Sequence, residues 1–374
     1  MGKNKSYGKG LRYEITKYLL NCGTLTYTSL SILPLHHRNA SRKVKNMLDE
    51  EFLLRHRVKS LRNLQVLSLN YSKTRNILES NYSRELLDYY DLAFESSLFA
   101  NTKLWSMDSI HAQRFVYNSE IQAFMYASGL NNGAIDALDT VYISSPDLKR
   151  MLTYEDDVMV DYDGKKILGF TKSNGIAICP QENYAVYYAK KVLPKLSLGE
   201  AKLRNLSCNY AMKRNQTSKI NGLIVVSDLH LLADYLDPCS DLNINGEDMR
   251  LDNFFALYDK VYAVPYTPAG VETMRYMTTP DWETRTIHRL TGQVPQDNRY
   301  LNFECDYFDR ETKTATLIFC IPNIKRLRNF LYAAKNTSGI TFRIVCYDYQ
   351  EAFIKTIAPA IKIGSISLTK IKED

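Results

Sequence analysis

The chain has 374 residues, 45% of them hydrophobic, 24% charged and 11% aromatic, a composition that excludes a disordered or fibrous protein and, at this length, predicts two or three domains. No apolar run approaches the roughly 20 residues that span a bilayer, and Met1 to Leu11 lacks a signal peptide's hydrophobic centre, so a cytoplasmic protein without membrane contact is expected. The formal net charge of +7 is unevenly spread: residues 1–75 carry fifteen Lys and Arg against four acids, a net +11, whereas the remainder carries thirty-three against thirty-seven, a net −4.

A positive field confined to one fifth of the chain is the expected footprint of a phosphate-binding surface. Within it, Leu11 to Asn21 places Leu11, Ile15, Tyr18 and Leu19 on one helical stripe, and Cys22-Gly23 supplies a stop. Thr26 is placed to cap a short second helix that Pro34 ends. A third helix is expected from near Asn39 or Ser41 to Glu51, with Val44, Met47 and Leu48 inward. Two strands, over 52–59 and 64–69, then flank a polar turn at Ser60 to Asn63.

Three helices and a hairpin in this order predict a winged helix-turn-helix over residues 1–75. Its candidate DNA-contacting residues are Arg38, Asn39, Ser41, Arg42, Lys43, Lys45 and Asn46 on the third helix, with Arg55, Arg57, Lys59 and Arg62 on the wing. Arg and Asn can read purine edges in bidentate fashion, while lysines mostly meet phosphates. The same pattern also fits a basic helical subdomain used for protein contacts.

Residues 76–165 read as a helical connector. Apolar positions such as Leu86, Leu87, Tyr90, Phe94 and Leu98 recur at intervals of three or four, and Asn118 or Ser119 is expected to cap a helix that Gly129 ends. The acidic stretch from Thr153 to Gly164 fails the EF-hand spacing and reads as a surface loop.

Residues 166–374 read as an α/β domain with a mixed sheet. Gly175 to Cys179 and Tyr184 to Ala189 suggest a hairpin, and a helix over about 199–213 follows. Four apolar runs, Leu223 to Ser227, Val261 to Pro265, Thr316 to Ile321 and Phe342 to Cys346, then alternate with helical segments. The whole chain is thus expected to be α/β (α+β).

Chemistry is faintly marked. The seven cysteines contain no Cys-x-x-Cys pair, and there is no Gly-rich phosphate loop, no Gly-x-Ser-x-Gly and no spaced histidine pair, so no cofactor is expected. Glu304 and Asp306 alternate on an expected strand, Leu301 to Phe308, and Asp228 directly follows another. Paired acids on one strand face can hold Mg²⁺ in a nuclease, although Asp306 stands where the lysine of an acid-x-lysine pattern would be. A salt-bridged strand face is the competing reading.

The winged helix over 11–70, the run Arg114-Phe115-Val116-Tyr117-Asn118-Ser119-Glu120, and Phe303-Glu304-Cys305-Asp306 followed by strand, helix and strand together resemble the replication-relaxation family of Gram-positive plasmids and integrative elements. The resemblance covers about half of the chain. It implies a DNA-binding role in replication, relaxation or mobilisation of an extrachromosomal element, with double-stranded DNA and other replication or transfer proteins as partners and a homo-oligomer compatible with it. It marks Glu304 and Asp306 as the acids to consider for a Mg²⁺-dependent nickase or nuclease. An ordinary transcriptional regulator, whose second domain senses a ligand or dimerises, is the third reading.

Overall fold

The structure is a computed structural model that describes residues 10–33, 37–80, 109–132, 140–148, 171–196, 198–215, 219–236, 250–292 and 302–368. The fold is mixed α/β and divides into two compact units, residues 1–166 with 174–178, and residues 167–173 with 179–374. The apolar stripe at Leu86 to Leu98 and the acidic stretch from Thr153 to Gly164 lie outside the described residues.

The first unit opens with α1 (Leu11–Cys22), whose Ile15, Leu19 and Cys22 are fully buried. Gly23 ends it at φ 73, where a side chain would be strained, and donates its N–H to the Leu19 carbonyl at 2.9 Å. After β1 (Leu25–Thr26), the Thr26 hydroxyl accepts from the Ser29 amide at 3.0 Å and caps α2 (Tyr27–Ile32), as the sequence suggests. The third helix, α3 (His37–Asp49), starts and ends about two residues earlier than expected, so Asn39 and Ser41 lie within it rather than at its start.

Strands β2 (Leu53–Val58) and β3 (Leu64–Leu69) pair antiparallel, in register from Leu53 with Leu69 to Val58 with Leu64. The turn between them runs through Lys59–Leu61, with Arg62 and Asn63 at φ 55 and 60. β1 adds to the far side of β3, leaving β2 as an edge strand. A fourth helix, α4 (Tyr71–Ser80), follows.

The next helix, α5 (Ser109–Ala127), is unbroken through Asn118 and Ser119, contrary to their expected capping role. Both side chains make tertiary bonds instead. Ser119 Oγ accepts from Thr24 at 3.0 Å, and Asn118 Oδ1 accepts from Asn174 at 2.9 Å. The Thr26 hydroxyl donates to the Glu120 carboxylate at 3.2 Å, and Ala112 and Val116 form a buried cluster with Val58 and Val66 of the hairpin. α5 therefore seals the hairpin's apolar side. The unit continues with β4 (Asn131–Asn132), parallel to β5 (Val141–Ser144), which is antiparallel to β6 (Gly175–Ile178).

In the second unit, β7 (Asn183–Ala189), β8 (Ile220–Val226) and β9 (Val261–Pro265) are parallel neighbours. Their connections include α6 (Leu198–Asn215) and α7 (Arg250–Leu257). Parallel strands require such crossovers, and burial on both faces explains their continuous apolar runs. Next come α8 (Pro268–Met277) and α9 (Trp282–Thr291). A side chain at Gly270 would bring its Cβ to 1.7 Å from the Pro265 carbonyl oxygen, so only glycine lets α8 fold back this closely on β9.

A second sheet has the order β10 (Tyr307–Asp309), β11 (Thr314–Ile318), β12 (Thr341–Tyr347) and β13 (Lys362–Ile366). β10 and β11 are antiparallel; β11, β12 and β13 are parallel, through α10 (Ile324–Asn336) and α11 (Glu351–Ile357). One buried cluster joins Tyr187, Val226, Phe254, Leu317, Phe330 and Phe353. The strand expected over Leu301 to Phe308 is corrected to Tyr307–Asp309. The reason is local: the Asp306 carboxylate turns inward to accept from the Ile318 amide at 2.7 Å.

Because α5 covers Val58 and Val66, a fragment ending at residue 80 should lack a cooperative thermal transition by circular dichroism. The full chain should unfold cooperatively. A sharp transition in the short fragment at the full chain's temperature would contradict the role assigned to α5.

Candidate nucleic-acid interface

At 3.6 residues per turn, Ala40, Val44 and Met47 fall on one side of α3, and all three are buried. The opposite side carries Arg42, Lys45 and Asn46, all exposed. Lys43 projects from the flank and is partly buried, while Asn39 and Ser41 are exposed beside the central row. The Arg38 and His37 side chains lie outside the described residues. An apolar face docked on its neighbours thus forces a row of long polar side chains outward.

Arg55 and Arg57 alternate along β2 and are exposed, as are Lys59 and Arg62 at the turn. Between the two arginines, His56 Nε2 lies 2.8 Å from Ser68 Oγ, and partial burial lowers its pKa. Two of the four acids among residues 1–75 are already engaged, Glu50 with Arg12 and Glu51 with Lys73. Arg42, Lys43, Lys45, Arg55, Arg57, Lys59 and Arg62 form no ion pair among the described residues. Among the described residues, then, no carboxylate is paired with these cations. Cations on an edge strand discourage edge-to-edge pairing, a role open to Arg55 and Arg57 on β2.

The acids of the second unit have other partners. Asp306 is buried and accepts from Arg326 Nη2 at 2.7 Å; Glu304, with its side chain 70% exposed, stands 3.7 Å from Arg326 Nε. Both carboxylates thus address one guanidinium. Asp228 caps the turn Leu229–Leu232, accepting from the His230 amide and facing its Nδ1, each at 2.9 Å. These hydrogen bonds hold its pKa below the ordinary carboxylate value.

One cluster has no local sequence signal. Glu182, Lys260 and Glu283 lie far apart in the chain, yet Lys260 Nζ meets Glu182 at 3.0 Å and also bonds Glu283. Tyr262 donates to Glu283 at 2.5 Å and lies 3.3 Å from Glu182. Burial draws the Lys260 pKa down, but the Glu283 and Glu182 carboxylates outweigh it and hold it above its ordinary value. Among the described residues there is no group of three or more His, Cys, Asp and Glu placed to hold a metal, and no helix is long and apolar enough to cross a membrane.

Comparison with protein-family models, curated proteins and solved structures gives no match to the chain. The resemblance to replication-relaxation proteins accordingly rests on the residues quoted for it.

The Arg326 geometry separates the two acids energetically. Asp306→Ala, which strands a largely buried arginine, should lower unfolding stability by about 3 kcal/mol. Glu304→Ala should change it by less than about 1 kcal/mol, since an exposed pair contributes little. Denaturant titration of the two variants checks this, and equal effects would contradict the assignment of Asp306 as Arg326's structural partner.

Proposed function

We propose that the N-terminal elements form a winged helix-turn-helix that binds double-stranded DNA, with α3 as the recognition helix and the β2–β3 hairpin as the wing. The observation that carries this reading is the two-sidedness of α3: Ala40, Val44 and Met47 buried, Arg42, Lys45 and Asn46 exposed, and no carboxylate among the described residues paired with these cations. A helix of this kind fits the major groove, where Arg and Asn read base edges, while wing cations meet the adjacent backbone.

The wider role proposed is that of a DNA-binding protein of a plasmid or integrative element, acting in its replication, relaxation or mobilisation, with the α/β unit serving assembly. The resemblance supports this extension. Cleavage by Glu304 and Asp306 has less support, because both carboxylates are directed at Arg326.

Arg42→Ala should weaken duplex binding by about 1 to 3 kcal/mol if it contacts a base edge. Lys43→Ala, on the flank, should have the smaller effect. Fluorescence anisotropy with a labelled native duplex measures both. Unchanged affinity in Arg42→Ala and Lys45→Ala, in folded protein, would remove α3 as the reading element.

A further inference from the structure

Among the described residues, α10 and α11 cover the same face of the second sheet. Ala315 and Leu317 of β11 and Phe342 and Ile344 of β12 join one buried cluster with Leu327 and Phe330 of α10 and with Phe353 and Ile354 of α11. Right-handed crossovers between parallel strands that follow one another across a sheet put both helices on one side. The residues in between therefore belong to the other face. Pairing sets them in a row across all four strands: Tyr307 opposite Thr316, Thr316 level with Arg343, and Arg343 level with Lys362. Side chains in register share a face, and the row spans three strand spacings, about 14 Å.

Arg343 and Lys362 are exposed and Tyr307 is partly so. None of the three makes a hydrogen bond, ion pair or ring contact among the described residues, whereas Lys260, Arg326 and Arg328 of the same unit are each paired with a carboxylate. The Arg343 guanidinium lies over Gly364 of β13, where a Cβ would come within 3.1 Å of its Nη2. Glycine at that position thus leaves room for the guanidinium on the sheet. Asp309, two residues along β10 on the same face, is engaged by its own turn, accepting from the Glu311 amide at 2.9 Å and the Thr312 hydroxyl at 2.7 Å. Residues 76–374 carry a net charge of −4, so two adjacent cations without a carboxylate partner run against the charge of their surroundings.

We propose that this sheet face binds single-stranded DNA, with Tyr307 stacking a base and Arg343 and Lys362 holding phosphates. A flat face does not enter a duplex groove, but the unstacked bases of a single strand can lie against it. One aromatic side chain beside cations is the combination that holds such a strand without reading its sequence. Thr316 lies between Tyr307 and Arg343 and is short enough to keep the path between them low. The choice of DNA over RNA rests on the duplex-binding reading of the first unit; the aromatic and the charge do not.

Fluorescence anisotropy of labelled oligo-dT with the full chain, in the presence of saturating unlabelled duplex, tests it. Tyr307→Ala should weaken oligo-dT binding about fivefold or more, the lower end of what one base–aromatic stack contributes, and Tyr307→Phe should restore it. The Arg343→Ala, Lys362→Ala double variant should flatten the slope of log affinity against log salt by up to about 1.4, or about 0.7 for each phosphate contact on a single strand. Duplex affinity should stay at the wild-type value in all three variants, so failure of the duplex reading and failure of this one show separately. Absence of oligo-dT binding by the wild-type chain, or equal binding by the wild type and the folded variants, would overturn the proposal. Tighter binding of oligo-U or of polyglutamate than of oligo-dT would overturn it as well, assigning the face to RNA or to an acidic protein.

Discussion

Burial of Ala40, Val44 and Met47 is the constraint from which the first unit's surface follows. Once that stripe is packed, the helix has no rotational freedom, and Arg42, Lys45 and Asn46 must face away from the core. Turning α3 by half a revolution would place an arginine and a lysine in an apolar interior, a far larger cost than any surface contact could offset. The same packing sets where the hairpin begins, because the Phe52 amide bonds to the Met47 carbonyl at 2.9 Å. Core and charged surface are therefore two consequences of one helical register.

The hairpin depends in turn on an element far away in sequence. Val58 and Val66 would expose an apolar face if Ala112 and Val116 of α5 did not cover it. The polar bonds from Thr24 and Thr26 to Ser119 and Glu120 fix α5 in direction as well as in position. The N-terminal elements and α5 thus pack together, and the hairpin that carries Arg55 and Arg57 is backed by residues outside the basic segment. In the second unit, charge is handled differently: Arg326 binds Asp306, and Lys260 binds Glu182 and Glu283, so these inward-facing charges meet a partner.

Much of this was legible in the sequence where local physics decides. The stripe of α1, the Thr26 cap, the two hairpin strands and the run Val261 to Pro265 each follow from spacing or capping chemistry, and each is present. Long-range bonding was not legible. Asn118 and Ser119 have side chains that favour caps, yet partners 56 and 95 residues away claim them within a continuous helix. Glu304 and Asp306 read as alternating strand residues because nothing nearby reveals Arg326, 20 residues beyond Asp306. The Glu182, Lys260 and Glu283 cluster was invisible for the same reason: three strands and a helix must assemble before those side chains meet.

If the basic face binds DNA through phosphates, its affinity must fall steeply as salt rises. The most direct measurement is the salt dependence of duplex binding for the wild-type chain and for an Arg55→Ala, Arg57→Ala double variant. Removing one phosphate-binding cation should reduce the slope of log affinity against log salt by about 0.9, so the double variant should be shallower by up to about 1.8. Binding that ignores salt, or an identical slope in a folded double variant, would contradict the assignment of this surface to DNA.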